Sequence, residues 1–127
     1  MTKPKKILIV DDMTSVRMLV QMLLKNEEYE LDEASDGVFA LEKCQGDSPP
    51  DLVLLDVLMP NLSGLECCRR LKASEQTKNI PVIIVTTRGE NKQKEEAFAA
   101  GCDDYLTKPI NKDDLINKTR RLLDRLT

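Results

Sequence analysis

Apolar residues gather in this chain as short unbroken runs, and each run stops at a polar residue. Ile7-Leu8-Ile9-Val10 stops at Asp11-Asp12, Leu52-Val53-Leu54-Leu55 at Asp56, and Val82-Ile83-Ile84-Val85 at Thr86-Thr87. A weaker segment, Asp104-Tyr105-Leu106, stops at Thr107-Lys108-Pro109. Continuous Val, Ile and Leu over so few positions predict parallel strands buried on both faces. Tyr29 to Ala34 alternates only weakly and predicts a short edge strand.

Between these runs the apolar positions change to helical spacing. Val16, Leu19, Val20, Leu23 and Leu24 form one such set. Val38, Ala40, Leu41 and Cys44 form a second, entered through Ser35-Asp36-Gly37. Ser63-Gly64-Leu65-Glu66 has the spacing of a capping box and predicts a helix carrying Leu65, Cys68 and Leu71. Pro49-Pro50 leads into the run ending at Asp56, and Pro81 opens the next strand, where a missing N–H is tolerated. Asn91 to Ala100 predicts a polar helix anchored by Ala97, Phe98 and Ala100, with Gly101 as its terminating residue. Asn111 is a candidate cap for a last helix carrying Leu115, Ile116, Thr119, Leu122, Leu123 and Leu126.

Strand and helix thus alternate five times, which predicts right-handed crossovers and an α/β fold with a parallel sheet between helical layers. Ligands of such sheets bind beyond the carboxyl ends of the strands. There the pattern assembles Asp11, Asp12, Asp56, Thr86 and Lys108. Three carboxylates crowded together cannot all stay ionised without a cation. Hard oxygen donors in small number suit Mg²⁺, with room left for water and a phosphate oxygen. Asp56 is the candidate nucleophile, since a carboxylate attacking phosphorus gives an acyl phosphate. Lys108 would supply a second positive charge, and Thr86 a hydroxyl for a phosphoryl oxygen.

Composition narrows the choice. At 127 residues with 41% hydrophobic content, the chain suits one domain, 1–127, with one packed interior. A net charge of −3, from 19 basic and 22 acidic residues, gives no broad basic field, so direct nucleic-acid binding is not expected. No apolar run approaches the ~18 residues of a membrane span, and a cytoplasmic location without membrane insertion is the simplest reading. There is no histidine, so any phosphohistidine in a relay belongs to a partner. The four cysteines, Cys44, Cys67, Cys68 and Cys102, form no C-x-x-C pair and read as reduced interior residues. The five glycines are scattered, and no nucleotide-binding loop is present.

Taken together, Ile7-Leu8-Ile9-Val10-Asp11-Asp12, Leu54-Leu55-Asp56-Val57-Leu58-Met59-Pro60, Thr86 and Lys108-Pro109, with Gly64, Gly101 and Tyr105, resemble the receiver domain of two-component response regulators. The resemblance covers essentially the whole chain. It implies a doubly wound, flavodoxin-like sheet of five strands in the order 2-1-3-4-5, flanked by five helices. It implies that Asp56 accepts a phosphoryl group from a histidine kinase. Asp12, Asp56 and the backbone carbonyl of Leu58 would ligate Mg²⁺ directly, with Asp11 acting through water. Lys108, before a cis Pro109, would pair with the phosphoryl group. Thr86 would move to bond it, and Tyr105 would turn inward behind. The face built from the fourth helix, fifth strand and last helix would then change for a downstream output protein.

Leu58, Thr87 and Arg88 stand at positions that tune access of water to the acyl phosphate, and Leu58 and Arg88 together predict a slow loss of the phosphoryl group. The resemblance implies a phosphoacceptor switch, self-catalysed in phosphotransfer and autodephosphorylation, rather than an enzyme. It is expected to be a monomer or a weak phosphorylation-dependent dimer. With no linker after Leu126-Thr127, a stand-alone switch is expected first. A receiver module of a larger regulator, with a DNA-binding or enzymatic output domain, comes second. A metal-dependent phosphatase comes last, because Val57 and Leu58 follow Asp56 with no general acid close by.

Overall fold

The computed structural model describes residues 3–87 and 91–124. Among these, five strands alternate with five helices: β1 (Lys6–Val10), α1 (Thr14–Leu24), β2 (Glu30–Ala34), α2 (Gly37–Gln45), β3 (Leu52–Asp56), α3 (Gly64–Ala73), β4 (Val82–Thr86), α4 (Asn91–Ala99), β5 (Asp104–Thr107) and α5 (Lys112–Asp124). The strands form one parallel sheet in the order β2-β1-β3-β4-β5, as expected.

The pleat divides the apolar runs between two core layers. Ile7, Ile9, Leu52, Leu54, Ile83, Val85 and Leu106 pack with Val20 and Leu24 of α1 and Leu115, Leu122 and Leu123 of α5. Leu8, Val10, Val53, Leu55, Val82 and Ile84 face the other way, onto Ala40 and Cys44 of α2, Cys67, Cys68 and Leu71 of α3, and Ala97 of α4. A fully buried Leu, Ile or Val contributes about 1.5–3 kcal/mol, so these two layers dominate what holds the sheet between its helices. All four thiols are free and buried in the second layer. Burial pushes each of them up, to about 11 for Cys44 and Cys68 and about 12 for Cys67 and Cys102.

The helix ends follow the expected chemistry with two departures. Asp36 Oδ1 accepts from the Phe39 amide at 2.8 Å, and Asn111 Oδ1 accepts from the Asp114 amide at 3.0 Å. At Gly101, with φ +97°, α4 closes through Gly101 N–H to Phe98 O (3.0 Å) and Cys102 N–H to Ala97 O (3.2 Å). The capping box at α3 is half made: Ser63 Oγ accepts from the Glu66 amide at 3.2 Å, but the Glu66 carboxylate turns to Arg69 and Arg70. The second departure is at α1, which begins after Met13 with no side-chain cap.

Helical spacing also placed Leu19, Val38 and Phe98 among the apolar anchors, and the structure leaves them 40%, 46% and 49% exposed. Val20 with Leu24, Ala40 with Cys44, and Ala97 with Ala100 set the inward line of each helix. A residue one or two positions off that line is rotated by roughly 100° or 200° and faces out. Leu126 lies outside the described residues.

Candidate functional site

Register brings the acids together. Val10 pairs with Leu55, so the next residues, Asp11 and Asp56, emerge side by side where β1 and β3 end. Asp56 continues the pleat of Leu52 and Leu54 and therefore faces the α1/α5 side. Its backbone is fixed from the other side: the Val57 amide donates to Val85 O at 3.2 Å and the Gly64 amide to Val57 O at 2.9 Å. One carboxylate oxygen from each of Asp11, Asp12 and Asp56 falls within 4.8 Å of the others. Asp11 and Asp56 are buried, whereas Asp12 is open to solvent.

Lys108 closes the cluster from β5. Its backbone N–H donates to Thr86 O at 2.7 Å, which anchors the residue at the end of β4. Its Nζ donates to Asp11 Oδ2 at 3.0 Å and lies 3.3 Å from Asp56 Oδ1. The peptide between Lys108 and Pro109 is cis, as the resemblance implied. Asp11 is also held by the Met13 amide, which donates to Oδ1 at 2.9 Å, and by Arg17 Nη1, which donates to the Asp11 carbonyl at 2.5 Å. Reading the residues alone missed these two supports. The signal for Arg17 was its position one turn into α1, where a long side chain reaches back over the strand end.

The electrostatics follow from burial and crowding. Burial pushes the Asp56 carboxyl up to about 6, the neighbouring charges of Asp11 and Asp12 push the same way, and Lys108 opposes them. Burial works against the charge on Lys108. The hydrogen bond to Asp11 and the charges of Asp56 and Asp11 outweigh it and raise its pKa above the ordinary lysine value. The arrangement is short of positive charge, and the donors are all hard oxygens. It fits Mg²⁺.

Thr86 is buried and continues the pleat of Val82 and Ile84, on the α4 side of the sheet. Tyr105 is half-buried at the sheet edge, its ring edge-on to Phe98 with centroids 5.8 Å apart. The Nζ atoms of Lys94 and Lys118 each sit 4.7 Å from the Tyr105 centroid, an arrangement the reading of the residues did not foresee. Leu58 is 67% exposed, and Thr87 is exposed beside Thr86. Arg88 lies outside the described residues. Among the described residues no helix is long and apolar enough to cross a membrane.

Known proteins share this architecture. The profile of the response regulator receiver domain matches residues 7–120. The transcriptional regulatory protein ResD of Bacillus subtilis is 38% identical over 124 residues, covering 98% of this chain and 50% of its own length. The chain spans about half the length of the curated relatives it matches. The chemotaxis protein CheY4 of Vibrio cholerae superposes with a TM-score of 0.85 at 34% identity, over 94% of this chain and 98% of that one. The receiver domain of the sensor histidine kinase PA1611 of Pseudomonas aeruginosa superposes with a TM-score of 0.86 at 26% identity, over 95% and 98% of the two chains. That structure has a magnesium ion coordinated in its active site cleft. Sequence profile, strand order and neighbours agree: this chain belongs to the response regulator receiver domains of two-component signal transduction.

Proposed function

We propose that Asp56 is the phosphoacceptor and that a histidine kinase supplies the phosphoryl group. The observation that carries this reading is the position of Lys108 Nζ, 3.0 Å from Asp11 and 3.3 Å from Asp56, at the one place among the described residues where three carboxylates converge. An Asp56 carboxylate oxygen forms the new bond to phosphorus. The P–N bond to the partner's imidazole breaks, and the nitrogen leaves with the electron pair. Mg²⁺, when bound, neutralises charge on the phosphoryl oxygens. Asp12 and Asp56 suit direct ligation with the Leu58 carbonyl. Both oxygens of Asp11 already accept from protein donors, which favours its acting through water.

Lys108 then shifts from the two carboxylates to the phosphoryl group, Thr86 bonds a phosphoryl oxygen, and Tyr105 turns inward. The face formed by α4, β5 and α5 changes with it and controls an output partner. The protein acts as a cytoplasmic switch that catalyses its own phosphotransfer and dephosphorylation. A second reading has support of its own: ResD, a transcriptional regulatory protein, is twice the length of the match. In that reading this chain is the receiver module of a larger regulator with a DNA-binding output domain. The test is incubation with acetyl phosphate and Mg²⁺ followed by intact-mass analysis. A single added phosphoryl group, absent from Asp56→Asn, supports the assignment. Multiple turnovers of a phosphate ester would support a phosphatase instead.

A further inference from the structure

We propose that Arg17 is a positioning residue for the metal site: it clamps the peptide between Asp11 and Asp12 and so aims the Asp12 carboxylate at the cation. The proposal rests on the receiver reading above, in which Asp12 and Asp56 ligate Mg²⁺ directly. Asp12 is the exposed member of the three acids, and among the described residues no hydrogen bond or ion pair holds its carboxylate. Its direction therefore depends on the backbone that carries it.

That backbone is fixed through Asp11. The Asp11 amide donates to Ala34 O at 3.2 Å, and the Asp11 carboxylate oxygens accept from the Met13 amide and from Lys108 Nζ. The Asp11 carbonyl accepts from Arg17 Nη1 at 2.5 Å. This carbonyl lies in the peptide plane that ends at the Asp12 Cα, so holding its oxygen sets the direction in which Asp12 leaves the strand. α1 starts at Met13 without a side-chain cap, and the turn takes its side-chain anchors from Asp11 and Arg17.

The guanidinium is itself held from two further sides. Nε donates to Glu33 Oε1 on β2 at 2.8 Å, and Nη2 to Thr14 Oγ1 at 3.2 Å. One planar group thus ties the end of β1, strand β2 and the first turn of α1 together, with its side chain only 13% exposed. Lysine carries the same charge but cannot donate in three fixed directions. Charge alone would act the other way: a cation beside the acids repels Mg²⁺, and its removal would tighten the metal. Glu33 offsets that charge, which leaves the direction of the ligand as the larger effect. Groups that orient a metal ligand from outside the coordination shell are worth about 10- to 100-fold in affinity.

The experiment titrates the full chain with Mg²⁺ by calorimetry, in wild type, Arg17→Ala, Arg17→Lys and Glu33→Gln. Asp12→Ala controls for the ligand reading. Arg120→Lys, whose guanidinium pairs with Glu27 instead, controls for loss of an ion pair. Both Arg17 variants should bind Mg²⁺ about 10-fold more weakly, while Glu33→Gln, which keeps an acceptor for Nε, and Arg120→Lys stay near wild type. In the metal-free protein the Asp12 and Met13 amides should shift in Arg17→Lys. Labelling of Asp56 by acetyl phosphate should be slow at low Mg²⁺ and return to the wild-type rate at saturating Mg²⁺, a split that a folding defect would not give. Unchanged or tighter Mg²⁺ binding in Arg17→Ala, full rescue by Arg17→Lys, or slow labelling that saturating Mg²⁺ leaves slow would overturn the proposal. Wild-type Mg²⁺ binding by Asp12→Ala removes the ligand reading and this proposal with it. Weak binding by Asp12→Ala beside normal binding by Arg17→Ala removes the positioning role alone.

Discussion

Gly64 lies so close to Asp56 that a Cβ at position 64 would stand 2.0 Å from the Asp56 carbonyl oxygen. The N-terminus of α3 is therefore pressed onto the strand end that carries the proposed phosphoacceptor. Neither backbone can yield without moving the other. Gly64→Ala should destabilise the fold by about 1–3 kcal/mol, the usual penalty for an added methyl with no room, or by more. It should also slow labelling of Asp56 by acetyl phosphate. Urea unfolding and intact-mass time courses measure the two effects, and a variant as stable as wild type would show that α3 can retreat freely.

The pH dependence of the metal-free protein should carry the signature of Asp56. Its pKa is raised from 3.8 to about 6 by burial, with Asp11 adding to it. The folded state thus holds the proton more tightly than the unfolded chain. The penalty for keeping Asp56 ionised is fully present above about pH 6 and disappears as pH falls through 6 toward 3.8. Asp56→Asn should stabilise the metal-free protein at pH 7.5 by on the order of 1–3 kcal/mol. That gain should shrink as the pH is lowered to 4.5 and reverse when Mg²⁺ is added. Parallel unfolding curves of the two proteins at both pH values, with and without Mg²⁺, provide the check.

Lys108 holds two carboxylates at once, so its removal should be felt before any phosphoryl group arrives. Lys108→Ala should destabilise the metal-free protein by about 1–3 kcal/mol, because Asp11 and Asp56 lose their shared cation while remaining buried. Mg²⁺ should restore most of that stability. The variant should still accept label, slowly, yet fail to shift the amides across 91–108. A wild-type pattern of shifts in the labelled variant would refute the switching role of Lys108, and Thr86→Ala is expected to behave in the same way.

The lifetime of the acyl phosphate tests the residues beside the approach path. Leu58 follows Asp56 by two positions and is 67% exposed. It offers no hydrogen bond to orient a water, and over a phosphoryl group it would exclude one. Leu58→Asn should therefore speed loss of label several-fold, with Arg88→Glu changing the rate further. Decay of the double variant at the wild-type rate, followed by mass spectrometry after removal of the phosphodonor, would remove the shielding account.

Strands and acids were readable from the residues because both depend on local order. Each continuous apolar run falls one residue short of its strand, and Asp11 and Asp56 each directly follow a run, so the parallel register sets them side by side. The cap at Asn111 and the left-handed Gly101 were readable for the same reason. Contacts that depend on where neighbouring helices settle were not. Phe98 has the spacing of an anchor, but Ala97 and Ala100 are small enough to bring α4 close on their own line and leave Phe98 outside. The support of Asp11 by Arg17 and the pairing of Lys118 with Tyr105 cross between elements, and no periodicity encodes them.

The pleat of the sheet has a consequence for how such a protein can diversify. Asp56 faces the α1/α5 side, and Thr86 faces the α4 side of the same sheet. The side chains of the proposed phosphoacceptor and of its proposed reporter thus leave opposite faces of the sheet and can meet only beyond the strand ends. A change of one side chain on α4 alters which surface the outside world meets and leaves every atom of the acidic cluster in place. The α4 surface can be rewired on one side of the sheet without disturbing the carboxylates on the other.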